Sequence, residues 1–153
     1  NIGYLGDLKY GRTVHSLAMA LSHFRTKMFF IAPDALQMPK SYLEELGEKK
    51  IPFFKTDSLT EYAKKLDVLY VTRIQEERFQ DPLEYQKYKN VYSIGRSFLK
   101  QAKKGIKIMH PLPRIGEIKP DLDETENAVY FKQAAYGLPV RQALLGLVLG
   151  EVE

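Results

Sequence analysis

Gly6-Asp7-Leu8-Lys9-Tyr10-Gly11-Arg12-Thr13-Val14-His15-Ser16 follows a short apolar run, Asn1 to Leu5, and leads into a helical pattern. Two glycines bracket a charged loop at the point where a strand hands over to a helix. In an open α/β sheet, that handover is where ligands bind. The fold therefore turns on whether strands and helices keep alternating behind it.

They do. Thr13 to Phe24 places Val14, Leu17, Ala18 and Leu21 at helical spacing. Lys27 to Ile31 is a continuous apolar run of the kind buried on both faces of a sheet. A helix is expected from Pro39 to about Lys49, and a third strand from Ile51 to Lys55. Asp57-Ser58 with Glu61 reads as an N-terminal cap for a helix from Leu59 to Leu66. Val68 to Val71 is the fourth strand, and a polar loop runs from Thr72 to Asp81. Pro82 suits the first position of a helix ending near Tyr88. Val91 to Ser93 reads as a minor strand, Ser97 to Ala102 as a short helix and Lys107 to Met109 as the fifth strand. Asp121 to Thr125 is turn-like, Ala128 to Tyr130 extended, and Phe131 to Tyr136 and Pro139 to Leu149 are helical. This alternation predicts one three-layer α/β/α Rossmann-like domain over residues 1–153, with a mainly parallel sheet in the order 3-2-1-4-5 and right-handed crossovers. The strand order reverses between the first and fourth strands, whose loops carry Arg12 and Arg73. The loop after the fifth strand, His110-Pro111-Leu112-Pro113-Arg114, lies next along.

Composition narrows the function classes. The 153 residues are 44% hydrophobic and 27% charged, with no cysteine, which excludes disulfides and cysteine-based sites. No apolar run approaches the roughly 20 residues needed to span a bilayer, and no signal-peptide layout is present. A cytoplasmic protein with no membrane partner is the default. Net charge is +4 and the pI about 9.1, which suits anionic ligands. The basic residues are interleaved with acids, as in Glu44 to Lys50, so small anions are favoured and no nucleic-acid partner is expected. The chain begins without methionine and reads as part of a longer polypeptide.

Arg12 opens a helix, where a cation is disfavoured unless an anion joins it. The competing reading is a surface arginine paired with Asp7. Lys9 and Tyr10 also read as plain loop residues, and His15 as a structural hydrogen-bonder. Arg73 and Gln75 share one face of an extended segment, and a guanidinium fork beside an amide suits a carboxylate or phosphate. Glu76, Glu77 and Arg78 follow at once, so a solvated charged loop is the alternative. The prolines around Leu112 stiffen the backbone, and such a turn can aim carbonyls and the Leu112 N–H at a ligand. No glycine-rich phosphate loop, nucleophile elbow or metal-ligand spacing is present. No cofactor and no metal site is therefore expected.

Taken in order, GDLKYGRTVHSL (residues 6–17), IAPDALQMP (31–39), LDVLYVTRIQEERF (66–79), IMHPLPRIGEI (108–118), YFKQA (130–134) and VRQALLGLVLG (140–150) resemble the aspartate-binding domain of aspartate carbamoyltransferases. The sister ornithine enzymes carry a Ser-Met-Gly turn and a His-Cys-Leu-Pro motif where this chain has Thr72-Arg73-Ile74-Gln75 and His110-Pro111-Leu112-Pro113. An arginine suits a second carboxylate and repels an ornithine ammonium. The resemblance implies transfer of a carbamoyl group from carbamoyl phosphate to the amine of L-aspartate, an early step of pyrimidine synthesis. It implies that Arg12 and Arg73 hold the aspartate carboxylates with support from Gln75. Pro111, Leu112 and Pro113 would present backbone groups to the amine and to carbamoyl phosphate. Lys9, Tyr10 and Glu84 would latch the closed state, Arg78 and Glu117 would secure it, and Arg141 would be structural.

Glu76 and Gly116 depart from the residues common in the family, without removing a ligand contact. The family's carbamoyl-phosphate domain, its Ser-x-Arg-Thr signature and the lysine loop of a neighbouring subunit are not in the chain. The resemblance thus implies a missing N-terminal domain, a homotrimer of full catalytic chains with room for regulatory chains, and no carbamoyl transfer by this chain alone. The last helix is apolar nearly all round, which calls for cover on more than one side. A non-catalytic binding domain that kept the fold is the alternative of another class.

Overall fold

The apolar run at the head of the chain becomes β1 (Ile2–Leu5), hydrogen-bonded along both edges at the centre of a sheet. The computed structural model describes residues 1–79 and 81–151. The other strands are β2 (Met28–Ile31), β3 (Phe53–Thr56), β4 (Val68–Val71) and β5 (Lys107–Met109), in the order β3-β2-β1-β4-β5. Every pairing is parallel, so the sheet matches the order expected from the sequence and is wholly rather than mainly parallel. The order reverses at the β1–β4 pair, where Leu5 sits opposite Val71.

Alternate strand residues feed two cores. Leu5, Phe29, Ile31, Leu69, Val71 and Ile108 face one side, with Leu66, Phe98 and Tyr130 packed over them. Tyr4, Met28, Phe30 and Tyr70 face the other, under Val14 and Ala18 of α1 (Arg12–Leu21) and Leu46 of α2 (Lys40–Glu48). Fully burying one such side chain is worth ~1.5–3 kcal/mol. This two-sided burial is why β1 and β2 read as unbroken apolar runs, and it yields the three layers.

The remaining helices are α3 (Leu59–Tyr62), α4 (Pro82–Tyr88), α5 (Tyr130–Ala135) and α6 (Gly137–Leu149). Pro82 does open α4, and the Asp81 carboxylate caps it by accepting the Leu83 N–H at 2.8 Å. Elsewhere the local readings need correction. The cap expected from Asp57, Ser58 and Glu61 does not form. Ser58 makes no side-chain cap bond, and Glu61 instead accepts the Thr56 hydroxyl. Without that cap, α3 is a single turn that tightens into a 3₁₀ turn at Ala63–Lys65. Val91 to Ser93 form no strand. The bridge falls one residue later, between Ile94 and Ile118. The segment expected as a helix at Ser97 to Ala102 is a 3₁₀ turn, Arg96–Lys100.

No residue of α6 is buried. Leu138, Val140, Leu144, Leu145, Leu147, Val148 and Leu149 are each more than half exposed. Among the described residues, no helix is long and apolar enough to cross a membrane.

The crossing of the β1 and β4 loops is tight. Gly6 has φ +116°, and a Cβ there would lie 2.2 Å from the Thr72 carbonyl oxygen. The Thr72 N–H donates to Leu5 O at 2.8 Å and holds the loops at that approach. Gly6→Ala is expected to lower unfolding free energy by ~2 kcal/mol or more, measured by urea denaturation.

Candidate functional site

The three loops that leave β1, β4 and β5 meet around one cleft of about 280 Å³. The first contributes Tyr10, Gly11, Arg12 and Thr13, the second Thr72, Arg73, Gln75 and Arg78, and the third His110, Pro111, Leu112 and Pro113. They gather here because parallel strands send their carboxyl ends to one edge, and the reversal of strand order opens a crevice between them.

Asp7 anchors the first loop. Its side chain is fully buried, and Oδ1 accepts the Tyr10 N–H at 2.9 Å. Burial pushes this carboxyl above its ordinary range, opposed by the N–H groups of Tyr10, Gln75 and Lys9 and by His15. Asp7 therefore holds its own loop through Oδ1, while Oδ2 has no hydrogen-bond partner among the described residues, and the alternative of an Asp7–Arg12 ion pair is not what forms. Among the described residues Arg12 makes no ion pair. It opens α1, whose N-terminus has no side-chain cap and no acid in its first turn. The unpaired N–H groups and the guanidinium together make that end attractive to an anion. His15 does hydrogen-bond structurally: Nε2 lies 2.8 Å from Leu8 O, and the ring stacks on Tyr42.

Arg73 and Gln75 both reach the cleft, while Ile74 between them packs into the core. The Arg73 fork grips the carboxylate of Glu77 through both terminal nitrogens. The Glu77 N–H, with that grip, holds the Glu77 carboxyl below its ordinary range. Tyr10 packs edge-on against Phe79, and Lys9 lies over the Tyr10 ring at 5.0 Å.

The third loop differs from the sequence reading in one respect. The Leu112 N–H is not aimed outward, because it donates to His110 Nδ1 at 2.8 Å. Neither proline has an N–H, so the turn's remaining polar groups are carbonyls. Leu112 holds φ +53°, an unusual value for a leucine, and the Leu112–Pro113 bond is cis. His110, 1% exposed, brings Nε2 to 2.7 Å from Glu117 Oε1. Arg114 turns away to Asp123 and the Tyr130 hydroxyl.

Of the residues singled out from sequence, Tyr10, Arg12, Arg73, Gln75, Arg78, Pro111, Leu112 and Pro113 line the cleft. Glu117 stands behind it, through His110. Lys9 and Glu84 are exposed outside it, and Arg141 lies on α6 with its guanidinium beside Gly137. Sequence reasoning missed Asp7 and His110 as parts of the site. The available signals were a short acid directly after Gly6 and a histidine two residues before the constrained Leu112.

An open parallel sheet whose switch-point cleft holds three arginines and a carbonyl-rich turn defines an α/β domain with a cationic cleft at the carboxyl edge of its sheet. Residues 1–148 match the family model for aspartate/ornithine carbamoyltransferase, Asp/Orn binding domain, and the chain belongs to that family. The aspartate carbamoyltransferase catalytic subunit of Thermococcus onnurineus is 55% identical over 152 residues, 99% of this chain and 49% of that protein. The solved catalytic subunit of M. jannaschii aspartate transcarbamoylase matches with TM-score 0.90 and 49% identity, over 99% of this chain and 50% of the other. Trypanosoma cruzi aspartate transcarbamoylase in complex with carbamoyl phosphate and aspartate matches with TM-score 0.86 and 40% identity, over 94% and 48% of the two chains. The chain thus spans about half the length of the curated relatives it matches.

Burial raises the Glu117 carboxyl, but the His110 ring and the N–H groups of Glu117, Gly116 and Ile115 outweigh it and bring it from 4.5 down to about 2. A depressed folded-state value stabilises the fold above the unfolded value. That contribution is lost as pH falls from 4.5 toward about 2. Urea midpoints for the wild type are expected to drop between about pH 5 and pH 2, and Glu117→Gln to remove part of that drop.

Proposed function

We propose that the domain binds L-aspartate and presents its amine for carbamoylation by carbamoyl phosphate, as half of an aspartate carbamoyltransferase active site in pyrimidine synthesis. The observation that carries this reading is the convergence of Arg12, Arg73 and Gln75 with the Pro111–Pro113 turn on one cleft. Arg12 and Arg73 pair with the two aspartate carboxylates, and Gln75 supports them. A dicarboxylate matches two forks, and each charged hydrogen bond contributes ~1.5–3 kcal/mol.

The substrate amine, once it has given up its extra proton, attacks the carbamoyl carbon. A C–N bond forms, the C–O bond to phosphate breaks, and phosphate leaves with the electron pair and takes up the proton that the attacking nitrogen sheds. No nucleophilic side chain is required, only positioning and stabilisation of charge on the carbamoyl oxygen. The carbonyls of Pro111 and Leu112 are acceptors for the amine, and the Pro113 end of the turn meets carbamoyl phosphate. Lys9, Tyr10 and Glu84 serve as the latch of a closed state, with Arg78 and Glu117 securing it and Arg141 in a structural role. We infer further that the site is completed by an N-terminal domain and a neighbouring subunit, in a cytoplasmic homotrimer of full-length chains with room for regulatory chains. No metal or cofactor takes part in this scheme.

In the full-length chain, Arg12→Ala and Arg73→Ala are each expected to raise the KM for aspartate roughly 10- to 100-fold, read from steady-state formation of carbamoyl aspartate. An unchanged KM in both variants would sink the assignment. The 153-residue chain alone is expected to show no measurable transfer. Calorimetric titration with aspartate and with a bisubstrate mimic, in the presence and absence of the completing domain, separates a transferase half-site from a domain that merely kept the fold.

A further inference from the structure

The turn after β5 closes on itself through one histidine. Leu112 N–H lies 2.8 Å from His110 Nδ1. A backbone N–H can only donate, so Nδ1 carries no proton. The ring's proton is then on Nε2, which points at Glu117 Oε1, 2.7 Å away. The other Glu117 oxygen accepts the N–H groups of Ile115 at 3.2 Å and Gly116 at 3.0 Å. The His110 N–H in turn donates to Gln133 Oε1 at 3.1 Å, tying the turn to α5. Leu112 is held at φ +53°, where a Cβ crowds the following carbonyl. An unfavourable backbone angle persists only where the surroundings enforce it. Among the described residues, neither the Pro111 nor the Leu112 carbonyl accepts a hydrogen bond within the protein.

We propose that His110 is a positioning residue, a neutral imidazole whose bare Nδ1 fixes Leu112 so that the Pro111 and Leu112 carbonyls stay available to the reacting amine. Glu117 selects the tautomer by accepting the Nε2 proton. The proposal rests on the reading of this cleft as the aspartate site. It assigns His110 no contact with substrate: the ring acts through the backbone it holds.

Two near-isosteric variants divide the ring's bonds. In His110→Asn the amide oxygen stands at the Nδ1 position and can accept the Leu112 N–H, while the partner of Glu117 is lost. In His110→Gln the amide nitrogen stands near Nε2 and keeps Glu117, while the acceptor for Leu112 is lost. In the full-length chain, His110→Asn is expected to keep kcat within roughly tenfold of wild type. His110→Gln is expected to lose roughly a hundredfold in kcat with a smaller change in KM, the scale of a misplaced reacting group. Thermal unfolding is followed for both. Equal losses in the two variants, or a loss that tracks unfolding alone, would overturn the proposal. Histidine-selective ¹⁵N labelling of the wild type supplies a readout that no variant can spoil. The Nε2–H tautomer is expected at His110, and an Nδ1–H signal overturns the lock. A full-length wild-type chain with no transfer and no aspartate binding overturns the reading of the site instead, and the tautomer signal still decides whether His110 locks Leu112.

Discussion

A carboxylate with no access to water sits where β1 ends, and the geometry of the cleft depends on it. Burying Asp7 is costly and lifts its carboxyl above the ordinary range; one oxygen accepts the Tyr10 N–H, while the other has no hydrogen-bond partner among the described residues. The Tyr10 N–H fixes the first loop in a tight turn, and the Thr72 N–H, donating to Leu5 O, holds the second against it. Gly6 has no side chain, so the backbones come into contact at Thr72. An acid, a glycine and a threonine thus set the separation between Arg12 and Arg73 before any ligand arrives.

The cleft divides its work by polarity. Two loops supply positive charge: the Arg12 guanidinium at an uncapped helix start, and the Arg73 fork steadied by Glu77. The third supplies acceptors only, since its prolines lack N–H groups and its leucine N–H is spent on His110. A ligand matching such walls carries carboxylates at one end and an amine at the other, the polarity of an amino diacid. That polarity, rather than any single motif, connects the geometry to the proposed chemistry.

The architecture was legible because the strands are buried on both faces. Runs such as Met28-Phe29-Phe30-Ile31 leave little choice but a central parallel strand, and order 3-2-1-4-5 follows from the connection rules. The three site loops were legible because their charges stand directly behind those runs. What escaped depended on partners distant in sequence. Ser58 looks like a cap, yet Thr56 takes Glu61 first. Arg114 looks like a fourth cation for the cleft, yet Asp123 and Tyr130 claim it. His110 has no role of its own in the sequence reading of its turn, and only its two ring contacts reveal which nitrogen is bare. Asp7 is an ordinary loop acid until its burial is known.

The in-register pairing of β1 with β4, Leu5 against Val71, makes the sheet a ruler for the cleft. Adding or removing one residue inside β4 would turn Leu69 and Val71 to the opposite core and carry Arg73 off its wall. Exchanging residues within Thr72 to Gln75 leaves that ruler intact. A chain on this scaffold can therefore change the ligand it accepts by replacing side chains at the strand's end, while a change in length preserves the cleft only in the stretch beyond Gln75. Variation in chemistry and variation in size are separated along one connection, and a single strand only four residues long enforces the separation.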